Sequence, residues 1–522
     1  MRNEPRTRSR VESESWQRAD RSLFERLRAV RLAIARSRRV PPYVIFYDAT
    51  LRAMARSRPS TVRALLTVKG VCARKAEDLG ETFLAAIRSR WYPDPVTADR
   101  RLGRGPAADL VIVGAGAAGL ATAIFARRAN PARSVLLLEG ARRLGAKILV
   151  SGGGRCNVTN RDVSERDFWG GRRAIIRRIL KAFTSADAVE FFSGLGVTLH
   201  EENDGKLFPD SGRARDVLSA LLKAAETAGV RCVAGNRVLS VERCNGGLRL
   251  LTAGGTLHAG LVVLATGGQS LPKSGSNGAG FDFARRLGHT IVPTTPALVP
   301  LVLAEERTHS IHRELSGVSV DAELAIRVDG RISERLSGSL LWTHFGISGP
   351  LALNASRHWL RAEAEGRPVR LTANFSPGRT FDAEERWWLE TTNGRPRMSA
   401  LTALAGRFPA ALAAAIVRCI NIDGARQLAH LTRADRKRLT SAVIEWPLEV
   451  AGCRGYNYAE ATAGGVALDE IDPATMASRI CPGLYLVGEM LDVDGRIGGF
   501  NFQWAWSTGF VAGTALAGRT LV

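Results

Sequence analysis

The segment that most limits what this chain can fold into is a short apolar run, Asp109 to Val113 (DLVIV), that leads without a spacer into Gly114-Ala115-Gly116-Ala117-Ala118-Gly119. Such a run, bounded by glycine, suits a strand buried on both faces, as in a parallel sheet. The glycine spacing is GxGxxG, and each glycine has its own expected task. Gly114 permits the tight turn, Gly116 lets a pyrophosphate approach the backbone, and Gly119 lets the next helix pack closely on the strand. A helix over Leu120 to Ala129 should follow, with its N-terminus at Ala117 and Ala118 facing the phosphates. A second strand, Ser134 to Leu138, then ends in Glu139, twenty residues after Gly119. An acid in that place, followed by Gly140, accepts hydrogen bonds from a ribose 2′-OH, which favours FAD or NAD and disfavours a 2′-phosphate.

Two later segments select FAD. Leu261 to Gly268 (LVVLATGG) is a strand ending in Ala-Thr-Gly. It resembles the strand that returns to the cofactor in two-dinucleotide-type flavoproteins, which implies cofactor contacts from Thr266, Gly267 and Gly268. Gly483 to Asp494 (GLYLVGEMLDVD) resembles the late strand-and-acid motif of the same superfamily. There the backbone and a carboxylate face the ribityl chain and pyrophosphate, and Gly488, Glu489 and Asp494 take those places in this chain.

Four further strings stand in one order: GAKILVSGGGRCNVTN from Gly145, THFGISGP from Thr343, TAGGV from Thr462 and GRIGGFNFQWAWSTGFVAG from Gly495. Together they resemble the BaiN/YhiN-like family of NAD(P)/FAD-dependent oxidoreductases, across Asp109 to Leu521. The resemblance implies a Rossmann-like, two-dinucleotide-type FAD-binding domain, and relatives that reduce carbon–carbon double bonds in steroid-like acids.

Residue chemistry fits that expectation. Ser151, Gly152, Gly153 and Gly154 form a small-residue stretch that can bring backbone N–H groups against a flavin or phosphate. Asn157, Thr159 and Asn160 add short polar side chains, and Lys147 and Arg155 add positive charge where a reduced, anionic flavin would be stabilised. Gly498 and Gly499 resemble backbone positions under the flavin ring, with Asn501 and Gln503 as donors to its polar edge. Cys156 reads as a packing residue, since it has no resolving partner for redox work. Trp504 and Trp506 read as core or as stacking partners of the cofactor. For catalysis the candidates are Arg155, Asn501 and His344, the last being equally a structural histidine. No metal site is expected.

At 522 residues the chain exceeds one core and predicts about three units. Residues 1–17 are charged and aperiodic, a flexible tail. From Arg18 the pattern is helical: Leu23, Leu27, Val30 and Ile34 share one face, Pro41-Pro42 breaks it, and Asp48, then Ser60 or Thr61, cap short helices. Gly70 ends that stretch, and a last helix runs from about Ala73 to Ile87. The strings VPPYVIFYDATLRAMA and LLTVKGVCARKAEDLGETFLAAI resemble the HRDC module of RecQ-type helicases and RNase D, over about Ser22 to Ile87. That likeness implies a small all-α domain (18–90) that contacts single-stranded nucleic acid weakly, or a protein instead. Residues 91–107 read as a linker, 108–290 and 457–522 as the two parts of the FAD-binding domain, and 291–456 as an inserted domain, part β and part helical, for the substrate. The helical part is expected over Ser399 to Val417, and the active site in the crevice between the two domains.

Charge is uneven. The first 105 residues hold 24 Lys/Arg against 11 Asp/Glu, a net +13 of the chain's +23. Such a balance fits either an arginine-rich surface or a face for polyanions. Seven cysteines without a CxxC pair, no apolar leader and no uncharged stretch of about 18 apolar residues place the protein in the cytoplasm, without a membrane span. Three functions follow as expectations. The first is a reductase in which flavin N5 exchanges hydride with a small or mid-sized hydrophobic molecule, NAD(P)H binding transiently because no second GxGxxG unit exists. The second is a flavoprotein directed to DNA or RNA by the HRDC-like module. The third keeps FAD as a structural or sensing group. Substrate, donor preference and oligomeric state stay open.

Overall fold

The computed structural model describes residues 108–305 and 311–518 and, nearer the N-terminus, 41–57, 59, 61–88 and parts of 23–35. The expected tail (1–17) and linker (91–107) lie outside the described residues. The chain divides into two compact units, 1–101 and 102–522.

The first unit is helical where described, with Pro42–Ile45, Asp48–Ser57, Val62–Leu65 and Ala73–Arg88 as its helices. Leu23 and Leu27 are buried and Val30 and Ile34 pack against the same core, so the three-and-four spacing marks the inward face. Phe46 and Phe83 meet edge to face at 5.0 Å inside it. Thr61 accepts from the Ala64 N–H at 3.2 Å as an N-cap. Asp48 is the first residue of its helix and pairs with Arg31 at 2.7 Å. Gly70 turns the chain at φ +95°, where a Cβ would stand 2.2 Å from Thr50 Oγ1.

In the second unit five parallel strands form the central sheet, in the order 484–486, 261–264, 110–113, 135–139, 231–234. Leu110–Val113 sits in the middle and all four of its residues are buried, which explains the absence of polar alternation in its sequence. The helix after the glycine turn begins at Ala117, three residues earlier than periodicity suggests, because Leu120 N–H already donates to Gly116 O at 3.0 Å. Against it lies the C-terminal helix, Phe500–Ala517. Gly509 and Gly513 make that crossing close, since a Cβ on either would stand 2.7 Å from the Cβ of Ala121 or Phe125.

A second hydrophobic core spans residues 299–459. It is built on a seven-stranded antiparallel sheet, in the order 446–448, 369–374, 319–328, 331–343, 346–348, 301–303, 450–453. Helices Gly349–Ala364, Phe381–Gly394, Ala400–Ala405, Ala410–Cys419 and Arg433–Ile444 accompany it. The helical section expected over 399–417 is two helices, because Pro409 starts a new one after the Gly406 cap. Chain crosses between this lobe and the cofactor lobe beside the antiparallel pair Ile291–Ala297 and Ala461–Val466, where Glu460 N–H donates to Leu298 O at 3.1 Å.

A buried ion pair ties the lobes together. Arg357, on the helix Gly349–Ala364, donates from Nε and Nη2 to the two oxygens of Asp494 at 2.6 and 2.9 Å. Its guanidinium also lies 5.0 Å over the Trp169 ring. Nearby Asp492 is left without a cation of its own, and burial, reinforced by the Asp494 charge, pushes its carboxyl up from 3.8 to about 6. A raised carboxyl pKa makes ionisation costly in the folded state. The stability it contributes is complete below about pH 4 and is lost as pH climbs to about 6. Asp492→Asn is therefore expected to melt above the native protein at pH 7.5 and to match it near pH 4, measured by thermal unfolding at both values. An equal offset at the two pH values would remove this account.

Candidate active site

One cavity of about 1060 Å³ opens at the C-terminal ends of the central strands. Its first wall is the glycine turn, and the three glycines differ as the spacing predicts. Gly114 holds φ +105°, and a Cβ there would stand 2.3 Å from Ala265 O. Gly119 is packed so tightly that its Cβ would meet Gly114 O at 1.9 Å. Gly116 faces open space, with nothing within 4 Å, and lines the cavity with Gly114, Ala117 and Ala118. The helix starting at Ala117 has no side-chain cap, so its N–H groups are free for an anion.

Glu139 and Gly140 line the same space at the end of the second strand. The Glu139 carboxylate accepts from Ala115 N–H at 3.0 Å and Ala141 N–H at 2.7 Å. A second acid, Glu489, is gripped on several sides. Lys147 Nζ donates to it at 2.5 Å, Ser270 Oγ at 2.6 Å and Thr462 N–H at 3.0 Å, and Lys147 also reaches Ser270. Burial would raise its pKa, but the Lys147 charge and these donors outweigh that and hold it below the ordinary carboxylate value.

The Ser151–Gly154 stretch is a tight turn with Gly152, Gly153 and Gly154 at φ +53°, +68° and +86°. Ser151, Gly152 and Gly153 line the cavity, and a Cβ on Gly153 would meet nothing within 4 Å. Asn157 lines this part of the cavity and is buried, with an Oδ1 acceptor that lacks a hydrogen-bond partner among the described residues. Thr266, Gly267, Gly498, Gly499 and Asn501 complete this side. Non-glycine residues with left-handed backbone gather at the same place: Leu271 (φ +52°) and Leu298 (φ +53°) line the cavity, and Cys156 (φ +62°) adjoins it.

Several expected residues stand elsewhere. Gly154 is outside the lining. Gly268 packs under Thr462, and Gly488 against Ala118. Asp494 belongs to the Arg357 pair instead of facing a ribityl chain. Asn501 lines the cavity, but its side chain closes on Gly495, accepting from its N–H at 2.9 Å and donating to its carbonyl at 3.0 Å. Gln503 is buried beneath, accepting from Thr159 Oγ1 at 2.6 Å. Trp504 and Trp506 donate to Gly488 O and Val158 O and pack in the core. Arg155 reaches the lining while paired with Glu202 at 2.6 Å and stacked 4.1 Å over Phe208. His344 is exposed, edge-on to Phe345 and apart from the cavity. Burial pushes the Cys156 thiol up to about 12, so it is held as a thiol.

Other lining residues carry no local signature, apart from Arg496, which stands in the string beginning at Gly495. Lys206, Arg237, Lys273 and Arg496 join Lys147 and Arg155, giving six basic side chains against Glu139, Glu460 and Glu489, a balance suited to a diphosphate. Among the described residues, those of the lobe spanning 301–453 contribute nothing themselves. Only the crossing segments, Leu298 and Asn457 to Glu460, line the cavity from that side. The expected crevice is thus walled by the crossings, not by the seven-stranded sheet.

The open face of Gly116, the empty space at Gly153 and the unpartnered Asn157 oxygen are a cradle that fits FAD. Gly116 and the helix start at Ala117 would hold its pyrophosphate, Glu139 its ribose, and the Ser151–Gly153 turn with Gly498 and Gly499 its ring. Bound there, FAD supplies two-electron hydride chemistry. The chain's own part would be to place the ring and to shield it from water; the nearby cations Lys147 and Arg155 are themselves held by Glu489 and Glu202. Among the described residues no cluster of His, Cys, Asp or Glu could hold a metal, and no helix is long and apolar enough to cross a membrane.

A Rossmann sheet, this glycine turn and this cradle define an FAD-dependent oxidoreductase. The model of the HI0933-like protein Rossmann domain matches residues 108–515, and the chain belongs to that family. An HRDC domain matches residues 20–87. The 3-dehydro-bile acid delta(4,6)-reductase of Clostridium scindens is 33% identical, over 78% of this chain and 98% of its own. The ribosomal RNA dihydrouridine synthase of Escherichia coli is 34% identical, over 77% of this chain and 96% of its own. The N-terminal unit is similar to the ATP-dependent DNA helicase RecQ of Haemophilus influenzae, 42% identical over 13% of this chain and 11% of the helicase.

Proposed function

We propose that this chain reduces a carbon–carbon double bond conjugated to a carbonyl, with NADH or NADPH binding transiently as electron donor. The observation that carries the reading is a single cavity running from the pyrophosphate turn to the lobe crossings. At about 1060 Å³ it stands at the upper end of ligand pockets, with space for a dinucleotide and part of a second molecule. The two relatives' names supply the bond type. One acts on a 3-oxo compound unsaturated at positions 4 and 6, the other makes dihydrouridine, and both names describe saturation beside a carbonyl. Seven unpaired cysteines support a reducing, cytoplasmic setting. Purified protein is expected to be yellow and to bleach within a turnover time when mixed anaerobically with NADH or NADPH. Flavin that stays oxidised with both donors would overturn the reading.

A second reading narrows the substrate to uridine within RNA, with the N-terminal unit as a docking module. It is favoured by the HRDC match and by the +13 charge of residues 1–105. Affinity for single-stranded RNA should fall steeply with salt and drop when residues 1–105 are deleted. Binding absent at low salt, or unchanged by the deletion, would remove this reading.

A further inference from the structure

Saturating a carbon–carbon bond needs a proton as well as a hydride, and the cavity restricts where the proton can come from. Among the described residues its lining holds no histidine, cysteine or aspartate. Apart from the basic side chains and Tyr458, whose ring is 51% exposed under the Arg454 guanidinium, three carboxyls remain, and two are already engaged: Glu139 with two backbone N–H groups, Glu489 with Lys147, Ser270 and Thr462. The third, Glu460, makes no hydrogen bond or ion pair with another side chain. Its backbone is fixed by Leu298 O on one side, and Thr462, two residues on, is bonded to Glu489. The carboxyl is therefore carried on a rigid strand start, on the wall the lobe crossings build. Its side chain opens into the cavity, but the surrounding protein desolvates it, and this raises its pKa above the ordinary 4.5 against the pull of Lys147.

We propose that Glu460 is the general acid of the reaction, the catalytic residue that protonates the substrate carbon α to the carbonyl. The inference rests on the reductase reading given above. With FAD bound and reduced, the hydride it would supply goes to the β carbon, and the double bond's electron pair would move towards the carbonyl. A new C–H bond then forms at the α carbon as the Glu460 O–H bond breaks. Two electrons and two hydrogens would be added in all, with the bound flavin supplying the electron pair and becoming oxidised, and the Glu460 carboxylate would regain a proton from water.

The test uses the FAD-loaded full chain, native and as Glu460→Gln and Glu460→Asp. Flavin reduced without oxygen is mixed with a 3-oxo-4-ene steroid and, separately, with unmodified ribosomal RNA transcribed in vitro. Glu460→Gln is expected to reoxidise roughly 100-fold or more slowly than the native protein with whichever probe is accepted, within the range of general acid catalysis. Glu460→Asp should recover part of the rate, and reduction by NAD(P)H should be unchanged in both variants. A second readout is independent of turnover. In an Asp492→Asn background, which removes the other raised carboxyl near the lobe contact, the infrared band of a protonated carboxyl should be present at pH 6, should be lost when Glu460→Gln is added, and should titrate above the ordinary glutamate range. Glu460→Gln reoxidising within threefold of native, or Tyr458→Phe causing the loss in its place, overturns the assignment alone, as does a band that Glu460→Gln leaves intact. Native protein inert towards both probes overturns the reductase reading, and the assignment falls with it.

Discussion

Gly116→Val is expected to weaken FAD binding by roughly 100-fold or more, about 2.7 kcal/mol, while the protein without cofactor stays folded. The separation is possible because this glycine, unlike its neighbours, is not needed by the backbone. It holds φ −81°, which any residue adopts, and a Cβ on it meets nothing within 4 Å. A branched side chain there enters the space where the pyrophosphate must approach the turn. The helix start loses about 1 kcal/mol at most from a poorer N-cap. Gly114→Val is the contrasting variant, with both the positive φ and the Ala265 carbonyl against it, and should fail to fold. Fluorescence titration with FAD, beside a melting curve of the cofactor-free protein, reads both. Native affinity in a folded Gly116→Val protein would mean that the diphosphate does not lie on this turn.

Arg357→Met should cost about 3–5 kcal/mol of stability, because it strands the Asp494 carboxylate in a site with almost no water. Asp494 is 1% exposed, and among the described residues its ion-pair partner is Arg357, itself 10% exposed. The double variant Arg357→Met, Asp494→Leu should regain most of the loss, since two apolar groups need no partner. Urea denaturation of the two proteins beside native decides the matter. A single variant within about 1 kcal/mol of native would show that water already screens the pair.

What the sequence made legible was what is local in the chain. The glycine turn, Glu139 and the apolar central strand lie within about thirty residues of one another, and steric rules at each position fix their geometry. The HRDC-like core was legible for the same reason, through Leu23, Leu27 and their helical spacing. Legibility failed where a role depends on a distant partner. Asp494 resembles a cofactor acid by its string, yet Arg357, 137 positions away, claims it. His344 sits in a family motif that folds outside the cavity. Glu460 precedes the TAGGV string without any pattern of its own, and matters only because the crossing segments bring it to the wall of the cavity that Lys147 also lines. A carboxyl left out of hydrogen bonding inside a cavity is a property of three-dimensional packing, and a single sequence has no period or spacing that reports it.

Cys156 stands beside the flavin turn with its sulfur fully enclosed and its proton firmly held. Conjugated carbonyl compounds are Michael acceptors that alkylate thiolates, so a reactive sulfur in such a pocket would be consumed by the molecules it receives. With a substrate of the proposed kind, sealing this one thiol would let the protein handle such electrophiles repeatedly without losing it to alkylation.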